Sequence, residues 1–182
     1  MKIAIAQISC SLGDLKANLL KVRDFSAQAK EASADLIVFP EMVDTGYSMP
    51  VIQAYASPWT NGAVPELQKI SRAMSIAIIS GVSERDGASI YNSQVFINQD
   101  GNIVNKYRKT HLFTAAPIEE HQCFSPGNEF ISFAFAGLRF GLSIYYDLGF
   151  RRYIENSPQK ITSTLLSFLP PGPSRALNIC ER

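Results

Sequence analysis

Two apolar runs flanking one amphipathic stretch constrain this chain more than any other feature. Ile3–Ile8 carries no charge, and Asp35–Phe39 is nearly continuous in apolar residues and is closed by Pro40. Between them, from Lys16 to Ala32, apolar residues recur at helical spacing (Leu19, Leu20, Val22, Phe25, Ala29, Ala32), with Lys16, Lys21, Lys30 and Glu31 on the outer face. Asp14 stands where a helix cap is needed. A strand, a covering helix and a second strand apolar on both sides predict a layered α/β sheet.

The pattern continues downstream. Pro65–Met74 reads as a second amphipathic helix with Pro65 suited to its first turn, and Ile76–Gly81 as the strand after it. Tyr91–Ile97 and Ile103–Tyr107 flank Asn98-Gln-Asp-Gly101, whose Asp-Gly pair predicts a hairpin. Ile131–Phe135 and Arg139–Ile144 form a second antiparallel pair around Ala136-Gly137. After Leu148 the periodicity is lost. Thr164–Leu169 is the size of one more strand, Pro170-Pro-Gly-Pro173 breaks any element, and Ser174–Arg182 is too short to pack as its own unit. The expected organisation is one domain over residues 1–148 and a divergent, poorly packed tail over 149–182.

With 182 residues, 46% of them hydrophobic, and a formal net charge of +1, the chain is of single-domain size and its charge implies neither a nucleic-acid nor an anionic-membrane partner. Apolar runs are strand-sized and no signal peptide is visible, so a cytoplasmic location is expected. Cys10, Cys123 and Cys180 are odd in number and without metal-like spacing, which predicts reduced thiols. His111 and His121 lie ten residues apart with no carboxylate cluster at ligand spacing, so no metal is expected. No glycine-rich phosphate loop follows a strand, so no nucleotide cofactor is expected either.

Chemistry enters at Glu41. A carboxylate directly after a buried strand and a proline sits where strand ends open into a crevice, and there it can serve as a general base; alone it reads equally as a loop cap or a partner of a surface cation. Arg108 and Lys109 close a predicted hairpin beside His111, so a second strand end can deliver an ammonium group to the same crevice, where it would stabilise an oxyanion. Taken alone, that segment reads as a solvated basic turn. Tyr47 and Trp59, in the expected loop from Thr45 to Trp59, either line a pocket or pack the core.

From residue 2 to about 148 the chain resembles the nitrilase, or carbon-nitrogen hydrolase, superfamily. The matching pieces are Ala4-Ile-Ala-Gln7 with Gly13-Asp14 and Asn18, Asp35–Glu41 with Thr45-Gly-Tyr47, Gly81 with Glu84, Tyr91-Asn-Ser93, Tyr107-Arg-Lys-Thr-His-Leu-Phe113, Glu120 followed by Phe124-Ser-Pro-Gly127, and Gly141-Leu-Ser-Ile144 with Tyr146-Asp-Leu148. The resemblance implies a four-layer α-β-β-α sandwich, incomplete here at the C-terminus, and hydrolysis of a small amide, nitrile or carbamoyl compound through a thioester acyl-enzyme. It further implies Glu41 as general base, Lys109 as oxyanion stabiliser, Glu120 as the acid that holds the lysine or orients substrate, and assembly into homo-oligomers.

Position 145 departs from the family pattern, because the nucleophilic Cys is replaced by Tyr145. A phenol ionises near pKa 10 against about 8.5 for a thiol, and it fills space that a substrate carbonyl needs. Loss of the nucleophile cost subtilisin on the order of 10⁶ in turnover, so impaired catalysis is expected. Cys10 and Cys180 match no catalytic position, and Cys123, near the Glu120 motif, is expected to be a packed thiol. The expectations are therefore an impaired hydrolase, a binding or regulatory pseudoenzyme that pairs with intact homologues, or a truncated product without function.

Overall fold

The computed structural model describes residues 1–149 and 176–181. Strand β1 (Lys2–Gln7) leads into helix α1 (Leu15–Glu31), capped as expected: Asp14 Oδ1 accepts from the Ala17 amide at 3.0 Å. The buried residues of α1 are Asn18, Val22, Ser26 and Ala29, one stripe at helical spacing. Asn18 is the polar member of that stripe. Its side chain accepts from Ser11 N at 2.7 Å and donates to the carbonyls of Ser11 and Asp44, which ties the start of α1 to the loop that carries Glu41.

Strand β2 (Leu36–Val38) pairs in parallel with β1 and with β3 (Ala77–Asp86). Between β2 and β3 lie α2 (Met49–Tyr55) and α3 (Ala63–Met74). Helix α2 corrects the expectation of loop from Thr45 to Trp59. Its seven residues are too few to establish a period, yet Pro50 suits its first turn and Ile52 is buried against Met42, Ala56, Ile90 and Phe124. Strand β3 also runs five residues past Gly81 and returns through Gly87 into β4 (Ser89–Ile97), a hairpin signalled by Asp86-Gly87.

Strands β4 and β5 (Ile103–Arg108) form the expected hairpin. Its Gly101 has φ +79°, and a Cβ there would lie 2.6 Å from the Gln68 carbonyl oxygen, so both conformation and space demand glycine. Strand β8 (Ala176–Glu181) pairs antiparallel along the whole of β1, completing a sheet of order β5-β4-β3-β2-β1-β8.

Alternation along the strands divides the core in two. On one face Ala4, Ala6, Ile78, Val82, Val95 and Ile97 pack under α1 and α3. On the other, Leu36, Val38, Ile79, Phe96 and Tyr107 meet the separate hairpin of β6 (Ser132–Phe135) and β7 (Leu138–Gly141), whose turn at Ala136-Gly137 has φ positive at both residues. Phe133 stacks between Phe96, at 4.3 Å between ring centroids, and Phe140, at 5.5 Å. Helix, sheet and second sheet are thus three successive layers of the α/β fold expected from the sequence. The strand expected at Thr164–Leu169 lies outside the described residues. Among the described residues no helix is long and apolar enough to cross a membrane.

Candidate active site

Glu41 follows β2 and Pro40 as expected, and the backbone holds it by close approach. A Cβ on Gly81 would lie 2.3 Å from Glu41 Cα, and the Gly81 amide donates to the Pro40 carbonyl at 3.1 Å. Met42, immediately after, is fully buried with φ +52°, a left-handed conformation that turns the chain sharply at the strand end. Asn92, from β4, donates to Glu41 Oε2 at 2.8 Å. Desolvation pushes the Glu41 carboxyl above the usual carboxylate range, with Lys109 and the Asn92 bond opposing it and the charges of Glu120 and Asp147 adding to it.

Lys109 comes off the end of β5, its amide donating to the Asn92 carbonyl at 2.8 Å. The side chain is 2% exposed, and its Nζ lies 2.8 Å from Oε1 of Glu120, which is 1% exposed. Glu120 opens a single 3-10 turn (Glu120–Gln122) after Glu119, which has φ +42°. Its Oε1 also accepts from the Tyr47 hydroxyl, and its Oε2 accepts from the Phe113 amide at 2.7 Å. With both oxygens engaged, Glu120 is a fixed counter-charge. Burial, together with the charges of Glu41 and Glu120, raises the Tyr47 phenol far above its ordinary range, so Tyr47 stays a neutral donor.

Of the two basic residues at this strand end, Lys109 enters the cleft and Arg108 does not. Period-two alternation sends it to the opposite face, where its guanidinium reaches Glu84 at 2.9 and 2.5 Å and Asp86 at 2.7 Å and stacks on Tyr91. Trp59 belongs to that side as well, donating to Glu84 Oε1 at 2.5 Å beneath Lys106. Of the two aromatic residues considered as pocket walls, Tyr47 lines the cleft that holds Glu41 and Lys109, and Trp59 does not.

Tyr145 begins a second 3-10 turn (Tyr145–Gly149) with φ +36° and is 44% exposed. It lines a cleft of about 400 Å³ together with Glu41, Lys109, Glu120, Tyr47 and Phe113. The fold therefore brings the five motif residues into one cavity: Glu41 from the chain after β2, Lys109 from the end of β5, Glu120 from its 3-10 turn, Tyr47 from a loop, and Tyr145 from the turn after β7.

Cys10 lines the same cleft, a placement the motifs did not signal. Burial pushes its thiol up to about 11 against the pull of Lys21, so at neutral pH it is protonated and weakly nucleophilic. Cys123 packs instead beside Met42, Ile52 and Phe124, as expected of a packed thiol. His111 Nδ1 sits 3.0 Å from Asp147 Oδ1, His121 is exposed, and among the described residues no group of three or more His, Cys, Asp and Glu could hold a metal.

Comparison with known proteins agrees with this geometry. The carbon-nitrogen hydrolase family model matches residues 2–159. The chain is 29% identical over 164 residues to a 2-oxoglutaramate amidase of Bacillus subtilis, covering 90% of this chain and 62% of that protein. It is 28% identical over 163 residues to the human omega-amidase NIT2, covering 86% and 59%. A structure of a variant amidase from Nesterenkonia sp. AN1, bearing the Michael adduct of acrylamide on its active-site cysteine, superposes with a TM-score of 0.77 at 25% identity, covering 85% of this chain and 61% of that one. The chain thus spans about three fifths of the length of these relatives. On the family match and the shared fold, this chain belongs to the carbon-nitrogen hydrolase family.

Proposed function

We propose that the cleft recognises a small amide, nitrile or carbamoyl compound and that its hydrolysis is impaired by Tyr145. The observation that carries this reading is the phenol of Tyr145 in the same cleft as Glu41 and Lys109. In an acyl transfer, Glu41 would take the proton of an attacking thiol, and its raised pKa brings it closer to that task. Lys109, desolvated and held by Glu120, would face the developing oxyanion. Tyr47 would complete the wall. The amidase and omega-amidase relatives support the substrate class, and the active-site cysteine of the Nesterenkonia amidase supports a thiol as the missing nucleophile.

Ammonia release from a panel of small amides, native chain against Tyr145→Cys, tests this. The expected result is little or no native turnover and a gain on substitution; brisk native turnover overturns the impairment. The intact Glu41–Asn92 and Lys109–Glu120 contacts favour a second reading, a binding or regulatory protein that pairs with itself or with an intact relative. Calorimetric titration with a small amide and co-elution with such a relative check it, and absence of both excludes it.

A further inference from the structure

The carboxylate of Asp147 joins the two segments that supply Lys109 and residue 145. It is 5% exposed. Oδ2 accepts from the Tyr107 hydroxyl at 2.7 Å and from the Ile144 amide at 2.9 Å. Oδ1 accepts from the Thr110 hydroxyl at 3.1 Å and the His111 amide at 2.9 Å, with His111 Nδ1 at 3.0 Å. Tyr107, Thr110 and His111 bracket Lys109 in the chain, and Ile144 directly precedes Tyr145. Two further contacts tighten the same unit: the Thr110 amide donates to the Tyr107 hydroxyl at 3.3 Å, and the Asp147 amide donates to the Ile144 carbonyl at 3.1 Å.

A residue held at φ +36° without being glycine keeps that conformation only when its surroundings over-determine it. Here the constraint comes from a buried acceptor whose other bonds run to the Lys109 strand end, 36 to 40 residues away in sequence. We propose that Asp147 is a positioning residue: it sets the distance between the Lys109 ammonium and the side chain at position 145, and acts on reactivity through that geometry without touching substrate. The proposal rests on the reading of position 145 as the nucleophile site.

The test uses the Tyr145→Cys chain, with and without Asp147→Asn. Alkylation of the introduced thiol by iodoacetamide is followed across pH by mass spectrometry of the peptide that carries it, alongside the thermal melt. With Asp147→Asn the melt should remain cooperative while alkylation near neutral pH slows by about tenfold or more. Its pH profile should also move toward that of a free cysteine, with the rates at Cys10 and Cys123 unchanged. An unchanged profile in a folded chain overturns the proposal. Should Asp147→Asn fail to fold, Thr110→Val removes one of the five contacts, and a smaller shift in the same direction is expected; no shift overturns the proposal. If Tyr145→Cys releases no ammonia from any amide, the functional reading fails, and the alkylation profiles still decide the role of Asp147.

Discussion

Lys109 Nζ and Glu120 Oε1 lie 2.8 Å apart with both side chains almost wholly removed from water. Each charge is tolerable there only because the other is present. Removing one member strands the other, whereas neutralising both with Gln at position 120 leaves the Phe113 amide a carbonyl acceptor and the Tyr47 hydroxyl able to turn and accept from the Gln NH2. Lys109→Met should therefore destabilise the chain by about 3–5 kcal/mol in urea unfolding, and Lys109→Met with Glu120→Gln should recover a large part of that loss. Equal losses in the single and double variants would mean that the pair is not coupled.

Glu41 carries a second expectation, on pH. An ordinary Glu in the unfolded chain titrates near pKa 4.3, and burial raises the folded value above that. The folded state thus binds the proton more tightly than the unfolded state. Its contribution to stability is fully present below the ordinary value and is lost as pH rises through the raised one. Glu41→Gln, neutral at every pH, should melt higher than the native chain at pH 8, and the gap should close as pH falls toward 4. A gap that widens on acidification would show the carboxylate to be net stabilised by Lys109 and Asn92.

Gly81 leaves no room for a side chain, because the clashing atom is the backbone of Glu41. Gly81→Ala should cost at least about 2 kcal/mol and displace Glu41 from Asn92. Thermal melts and the Asn92 side-chain amide resonance would check both.

Glu84, 1% exposed, collects the Trp59 indole, the Ser93 hydroxyl and the Arg108 guanidinium. Because Arg108 is one-third exposed and partly screened, Glu84→Ala should cost about 2 kcal/mol, less than loss of a fully buried pair. Trp59 is the only tryptophan in the chain, so its fluorescence reports the loss directly. An unchanged emission maximum would mean that the indole finds another acceptor.

Much of the fold was legible in the sequence because it rests on local signals. The helical period from Lys16 to Ala32, the cap at Asp14 and the Asp-Gly pair at 100–101 each act within a few residues, and each appears where expected. Helix α2 was not legible, since seven residues cannot display a period and its one buried side chain finds its partners only in the folded chain. The motifs likewise singled out Glu41, Lys109, Glu120, Tyr47 and Tyr145. Their meeting in one cleft, the turning away of Arg108 and Trp59, the presence of Cys10 on the wall and the bridging carboxylate of Asp147 were decided by tertiary structure alone. The physical reason is sequence distance. Residue type and strand-end position are local properties, whereas the neighbours that desolvate, pair or orient a group come from segments as far apart in sequence as Cys10 and Tyr145, and only the packed sheet determines which of them meet.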